Sequence, residues 1–257
     1  MTTVPIDPRI RARRVEVLRH EGRRRLRWMV ALVAAASCLA TGWWIVTDSP
    51  LLDVDAVRVD GANRTPIDAV IDASGIQKGQ ALVEVDTKVA KANIAELPWI
   101  QDVRADRSLA GAVTFAVTER EPVAAMPGAE GWLIVDADGR VLEERGTVDP
   151  GLVLVDGRRW HVRPGGWVSE QALPALDAAS LLPSGLRSKV AAINDTEDGL
   201  SLVLFGGGRV ILGDTTDLDD KFLSALTMVV RVDLTCLDHV DVRAPAVPVL
   251  TRREGCS

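Results

Sequence analysis

The chain has 257 residues, a formal net charge of −6, and a composition that is 47% hydrophobic but only 4% aromatic, with no tyrosine. This hydrophobic content excludes a largely disordered chain, and three cysteines are too few for the disulfide framework of a small secreted domain. The interior must therefore be built from Val, Leu, Ile and Ala.

The sequence from Trp28 to Val46 is an apolar run of 19 residues without a charged side chain. A helix of that length covers roughly 28 Å, close to the hydrocarbon thickness of about 30 Å. Trp28, Trp43 and Trp44 lie at its two ends, where indole rings favour the headgroup region. We predict a transmembrane helix over residues 28–46, anchored in the lipid bilayer by these tryptophans.

The charges on the two sides of this run predict its orientation. Residues 1–27 hold nine arginines against three acidic residues, whereas the rest of the chain has 21 basic and 33 acidic residues. A basic flank stays in the cytoplasm, so residues 1–27 form a cytoplasmic tail and the later domains lie outside. The tail lacks interleaved aromatic residues, so no nucleic-acid partner is expected. A cleaved signal peptide is the alternative, but the run continues past Ala40 into Trp43 and Trp44, which favours retention.

Residues 51–122 have the pattern of a small α+β domain. Alternating apolar and polar residues predict a strand at 52–59. Thr65 and Pro66 begin a helix that ends at Gly75, and a second helix ends before Pro98. Two alternating stretches then predict two strands. The order strand, helix, helix, strand, strand places a two-helix layer on a three-stranded sheet.

From residue 123 the pattern turns β-rich. An Asp-Gly pair at 138–139 predicts a hairpin, and a helix beginning at Ser169 precedes three further strands. A helix over residues 217–230 is expected to turn Phe222 inward and to expose Lys221. The final strand is expected at 239–243. Because Pro245 and Pro248 cannot donate ladder hydrogen bonds, residues 245–257 are predicted to be an edge or a flexible tail.

Several ordered motifs carry a resemblance to a known family. They are Val57-Arg58-Val59-Asp60-Gly61-Ala62, Ser74-Gly75-Ile76-Gln77-Lys78-Gly79, Leu97-Pro98-Trp99-Ile100, Val117-Thr118-Glu119-Arg120-Glu121-Pro122 and Leu133-Ile134-Val135-Asp136. The chain resembles the FtsQ/DivIB family of bacterial cell-division proteins. It departs from the family at residues 106–110, where an Arg-Trp-Pro-like triplet is common. The charged group Glu119-Arg120-Glu121 is read as a solvated cluster or, as the alternative, a partner contact.

The resemblance implies an α+β fold with a POTRA domain at 51–122 and a β-rich FtsQ-type domain at 123–244. It also implies a non-enzymatic scaffold at the septum of the plasma membrane, single-pass and with a cytoplasmic N terminus. Its partners would be divisome membrane proteins, FtsB/FtsL-like and also FtsW/FtsI-like. Carried onto this chain, the partner-binding residues are the last strand and the helix before it: His239, Val240, Asp241, Val242, Arg243, Lys221, Phe222 and Ala225.

Enzyme signatures are missing from the sequence. Beyond the apolar run the histidines are His161 and His239, without the spacing of a zinc site, and no nucleophile motif is present. We therefore expect no catalysis, metal, cofactor or small-molecule substrate. A POTRA-type chaperone or secretion module is the second hypothesis, and a membrane-anchored envelope enzyme is the third. Whether Cys236 and Cys256 form a disulfide is left open.

Overall fold

The computed structural model of the chain describes residues 26–44, 53–108, 110–157, 159–196 and 198–255. Helix α1, Leu26–Trp44, has 19 residues and a mean hydropathy of 1.4, and all of its residues are exposed. Within the described ranges it is the one helix long and apolar enough to cross a membrane. The predicted N-terminal apolar helix is thus confirmed. Residues 1–25 of the predicted tail and 45–46 of the predicted span lie outside the described residues.

The chain divides into two compact units that each combine several stretches of sequence. The first takes the described residues up to Arg58 together with Ile76–Asp86 and Asp106–Val113. Backbone hydrogen bonds join these stretches, from Val54 N to Gln80 O at 2.8 Å and from Asp55 N to Gly111 O at 2.7 Å. The second unit takes all remaining described residues. The domain bounds expected at 122 and 123 stay a prediction.

The elements before residue 120 follow the predicted order. They are β1 (Ala56–Asp60), α2 (Ile67–Ser74), α3 (Thr87–Ala95), β2 (Ile100–Arg107) and β3 (Ala112–Glu119). The three strands form a sheet in the order β1-β3-β2. Gly75 closes α2 in the left-handed conformation, with φ +68°, a position that favours glycine. The predicted β-α-α-β-β arrangement is confirmed.

The second sheet has nine strands among the described residues. They are β4 (Pro122–Pro127), β5 (Trp132–Asp136), β6 (Val141–Arg145), β7 (Val153–Asp156), β8 (Val190–Thr196), β9 (Gly199–Leu204), β10 (Arg209–Gly213), β11 (Leu237–Asp241) and β12 (Val249–Arg252). Their order is β12-β11-β10-β9-β8-β7-β4-β5-β6. Strands β4, β7 and β8 are parallel neighbours, as are β10 and β11, and the other neighbours are antiparallel.

Three helices pack on this sheet: α4 (Leu173–Leu181), α5 (Ser184–Arg187) and α6 (Leu218–Val229). A short 3-10 turn, Glu170–Ala172, precedes α4, so Pro174 falls in the first turn of that helix, where its missing N–H costs nothing. The interior is aliphatic, as the composition required. Its fully buried side chains include Leu176, Leu186, Ile193, Leu202, Phe222 and Val240.

Of the two alternatives predicted for residues 245–257, the structure shows the edge, and the flexible tail is wrong for the strand that forms there. Residues Val249–Arg252 form β12, which pairs with β11 in antiparallel fashion. Pro245 and Pro248 both precede this strand, so they remove none of its hydrogen-bond donors. The expected last strand is therefore an inner strand. Cys236, just before β11, is disulfide-bonded, whereas Cys256 lies outside the described residues.

Candidate functional site

Strand β12 is one open edge of the nine-stranded sheet. Thr251 lies opposite His239, and Leu250 lies opposite Val240. Among the described strands, none pairs with the outer side of β12. Arg253 N donates inward to Cys236 O at 3.0 Å. Because successive N–H groups of a strand point to opposite sides, the N–H groups of Leu250 and Arg252 point outward to the free edge.

Side-chain burial contributes little to holding β12 in place. None of its four residues is buried, and Val249 keeps 56% of its surface exposed. In β11, by contrast, Leu237 and Val240 are almost fully buried. Strand β12 is thus attached mainly through its backbone hydrogen bonds.

A clasp formed by Arg253 fixes the end of β12. Its guanidinium donates to Thr235 O at 3.2 Å and to Gly207 O at 2.5 Å. Gly207, in the turn between β9 and β10, has φ +91°, and a Cβ there would come within 2.8 Å of the guanidinium. The glycine triplet at 206–208 therefore forms the turn between β9 and β10 and also makes room for the clasp.

An apolar groove adjoins this edge. The outer face of α6 and residues 245–248 enclose about 430 Å³. Leu223 is 64% exposed there, and Asp220 is the one charged residue among those that line it. The lining residues are Asp220, Leu223, Ser224, Thr227, Met228, Pro245, Ala246 and Pro248. Since residue 248 leads directly into β12, groove and edge form one continuous surface.

The predicted residues of the last strand lie one strand inside the edge. Val240 and Val242 are fully buried, and Val242 N donates to Ile211 O at 3.0 Å. The Arg243 guanidinium lies 2.6 Å from the Asp241 carboxylate and holds the pKa of Asp241 below its ordinary value. His239 lies with Nδ1 2.8 Å from the Asp238 carboxylate. Their part in partner binding stays a prediction.

The predicted residues of the helix are interior, and the expected exposure of Lys221 is wrong. Lys221 is 2% exposed, and Phe222 and Ala225 are buried. The Lys221 ammonium donates to the Asp214 carboxylate at 2.7 Å and to Asp214 O at 3.0 Å. This hydrogen bond lowers the pKa of Asp214 to about 2. A local partner that precedes the helix thus allows a charged side chain to be buried.

The opposite edge of the sheet, β6, is covered at its first residue and charged further along. Val141 N donates to Gly166 O at 2.9 Å, and Gly165 N donates to Val141 O at 2.8 Å. Further along the strand, Arg145 pairs with Glu143 and with Asp149. A backbone cover and charged side chains are two ways in which proteins prevent unwanted strand pairing.

Arg120 and Arg140, next to β6, form a buried cluster of ion pairs and hydrogen bonds, called the ionic joint below. Arg120 donates to the Asp136 carboxylate at 2.5 Å and to Ile100 O at 3.2 Å. Arg140, which is also buried, donates to Glu96 O at 2.9 Å, beyond the end of α3. Both guanidinium groups lie over the Trp167 ring, at 5.4 and 5.3 Å. The interpretation of Glu119-Arg120-Glu121 as a solvated cluster is therefore wrong for Arg120.

The first carboxylate of that group also has an internal role. Glu119 accepts hydrogen bonds from Thr65 N at 2.7 Å and from Arg64 N at 2.9 Å, just before α2. Burial acts to raise the pKa of Glu119, but the hydrogen bonds outweigh it and the pKa is lowered. Glu119 and Arg120, whose internal contacts the sequence pattern missed, share one signal, because their charges lie at the end of β3 and directly after it.

An apolar N-terminal helix, a β-α-α-β-β domain and a nine-stranded sheet define a class of two-domain α+β proteins with a single N-terminal apolar helix. The sequence matches the POTRA domain, FtsQ-type, over residues 52–120 and the cell division protein FtsQ/DivIB C-terminal domain over residues 124–243. The chain belongs to the FtsQ/DivIB family of cell division proteins. With its apolar helix α1, this supports a single-pass membrane protein.

Curated relatives agree with this assignment. The cell division protein FtsQ of Streptomyces collinus is 38% identical over 240 residues, covering 90% of each chain. FtsQ of Anaeromyxobacter sp. (strain K) is 29% identical over 94% of this chain and 85% of its own length. FtsQ of Corynebacterium glutamicum is 39% identical over 129 residues, and that match spans 50% of this chain and 55% of the relative.

Proposed function

We propose that this protein is a non-enzymatic, single-pass scaffold of the cell-division machinery. Its N terminus lies in the cytoplasm, its domains lie outside the plasma membrane, and it acts at the division septum. It recruits FtsB/FtsL-like membrane proteins, with FtsW/FtsI-like proteins as further partners. Membership in the FtsQ/DivIB family supports this role, and the observation that carries it is the unpaired outer side of β12.

The proposed mechanism is the addition of a partner strand to β12. The outward N–H groups of Leu250 and Arg252, with the carbonyls of the same strand, supply the backbone hydrogen bonds. Strand β6 is covered at Val141 and charged beyond it, which disfavours strand addition there, so β12 is the favoured edge.

The groove beside α6 suits a second part of the same partner. An amphipathic helix can place apolar side chains against Leu223 and Met228. In this proposal the predicted residues act from behind the contact surface. Val240, Phe222 and Ala225 hold β11 and α6 in position, while His239 and Asp241 lie on the strand next to the edge.

One backbone hydrogen bond provides the sharpest test. Arg252→Pro removes an outward N–H but none of the inward donors that hold β12 to β11, whereas Arg252→Ala removes the same side chain and keeps the N–H. The full chain in nanodiscs is titrated with an FtsB/FtsL-like complex by biolayer interferometry. We expect Arg252→Pro to weaken capture by about tenfold or more and Arg252→Ala to bind almost as the parent does. Equal affinities of the two variants would overturn strand addition at β12.

The groove is tested separately. Leu223→Asp puts a charge on its apolar wall and is expected to weaken capture by about tenfold. Leu181→Asp, at an exposed leucine of α4, is the matched control. If both variants bind equally well, the partner does not use the groove, and the strand-addition result stands on its own.

A further inference from the structure

A cavity of about 560 Å³ lies away from the open edge, outside the carboxyl ends of β4, β7 and β8. These three parallel strands are neighbours and end at Pro127, Asp156 and Thr196. Ligands of sheets with helices on them commonly bind beyond the carboxyl ends of parallel strands. The volume falls within the range of small-ligand pockets. The function proposed above makes no use of this cavity.

Small residues create the space, and an aromatic ring limits it. Gly157, Ala172 and Ala175 line the cavity where larger side chains would fill it. Met126 and Val155 form an apolar floor, and Trp160 forms a wall. Trp160 N donates to Pro127 O at 2.9 Å, which fixes the backbone of the wall to the end of β4.

The polar part of the lining is acidic. Asp156 and Asp195 are its two charged residues. Within the described part of the chain, the Asp195 carboxylate makes no hydrogen bond or ion pair, and the Asp156 carboxylate accepts only from the neighbouring Gly157 N, at 2.8 Å. Partial burial raises the pKa of the Asp195 carboxyl. Neither carboxylate has a cation partner among the described residues, and an indole ring, which attracts cations, lies in the same cavity.

We propose that this cavity binds a lysine or arginine side chain of a peptide. Its aliphatic stem would lie on Met126 and beside Trp160, and its charged head would lie between Asp156 and Asp195. An apolar floor below two carboxylates suits a cation carried on an aliphatic stem better than a bare ion. The excess of acidic residues over the chain beyond α1 favours the approach of a basic segment.

The test observes Trp160 directly in the full chain. The protein is labelled with 5-fluorotryptophan in nanodiscs, and Trp160→Phe assigns one signal among those of the seven tryptophans. The probes are Nα-acetyl-lysine amide and Nα-acetyl-norleucine amide, which share the aliphatic stem but differ in the ammonium group. We expect the lysine probe to shift the Trp160 signal saturably and the norleucine probe to leave it unchanged.

Two charge variants complete the test. Asp195→Asn is expected to weaken binding of the lysine probe by about tenfold, whereas Asp177→Asn, on the exposed face of α4, removes the same charge outside the cavity and leaves affinity within about twofold. The proposal is overturned if the norleucine probe shifts Trp160 equally, if the lysine probe leaves Trp160 unmoved, or if both variants bind alike. None of these results depends on capture at β12, so the two proposals fail independently.

Discussion

The two edges of the nine-stranded sheet are built in opposite ways. At the β6 edge, Gly165 and Gly166 cover the backbone of Val141, and the nearby Arg120–Asp136 pair is buried. At the β12 edge, the outer backbone groups are uncovered, no side chain of the strand is buried, and Arg253 supplies the clasp. Buried side chains and a backbone cover therefore fix the β6 edge, whereas backbone hydrogen bonds and the partly buried Leu250 hold β12. Under the proposed function, β12 has to stay ordered without being covered, because a partner strand must reach its backbone.

The largest expected effect on the free energy of unfolding is at the β6 edge. Arg120→Ala leaves the Asp136 carboxylate, whose side chain is 6% exposed, without its cation, and is expected to cost about 3–5 kcal/mol of unfolding free energy. Urea unfolding of the full chain followed by tryptophan fluorescence measures this. Arg104→Ala, at a side chain that is 86% exposed, is the control and should cost less than about 0.5 kcal/mol. A similar small loss for Arg120→Ala would show that the joint does not fix this edge.

A change in the backbone cover of β6 is expected to cost less stability than loss of the Arg120–Asp136 pair. Gly165 has φ +85°, so Gly165→Ala is expected to cost about 1–2 kcal/mol. The amide of Val141 should exchange faster as its cover loosens. Gly146→Ala, where an added Cβ would meet nothing within 4 Å, is the matched control. Unchanged exchange at Val141 would mean that the cover does not depend on this turn.

The clasp should affect local order much more than global stability. Arg253→Ala is expected to cost less than about 1 kcal/mol of unfolding free energy, because the lost hydrogen bonds are exposed. The inward amides of Val249 and Thr251 should nevertheless exchange about tenfold faster or more. Hydrogen exchange with mass spectrometry reads both effects, with Arg252→Ala as the control. If β12 keeps its protection without Arg253, its backbone ladder alone is sufficient.

The smallest effect concerns pH. Because Arg243 lowers the folded-state pKa of Asp241, this pair adds stability above the ordinary Asp pKa of 3.8, and that stability is lost as the pH falls through the lowered value. Arg243→Ala should raise the pKa of Asp241 toward 3.8, measured by carboxyl carbon NMR. The stability difference between the parent and the variant should shrink as the pH falls. If the pKa of Asp241 is unchanged in Arg243→Ala, then Arg243 is not the cause of the lowered value.

The sequence predicted well those features that depend on local periodicity. The order of elements through β3, the hairpin around Asp138 and Gly139, and the helix over 218–229 follow from alternation, caps and turn residues. Residues 239–243 alternate between apolar and polar in the sequence, which predicts a strand, and the structure shows the same alternation in burial.

Contacts distant in sequence were not predictable in the same way. The helical pattern predicts that Lys221 is exposed, because only the folded chain brings the Asp214 carboxylate close to it. Strand β12 has only four residues and follows two prolines, so its sequence pattern is too short to predict a strand. Its pairing with β11 orders it in the folded chain. The sequence predicts that Arg120 is solvated, because its partner Asp136 lies on another strand. In each case the decisive atom belongs to a different element.

The cover over β6 has a consequence for stoichiometry. A sheet with two free edges can add strands at both ends and grow into a fibre. Because β6 is covered at Val141 and charged beyond it, β12 is the favoured edge of the described sheet for strand addition. Each copy can then hold one partner strand or pair with one second copy through β12, and either event uses up the edge. Under the proposed function, each copy therefore adds one partner strand along this direction.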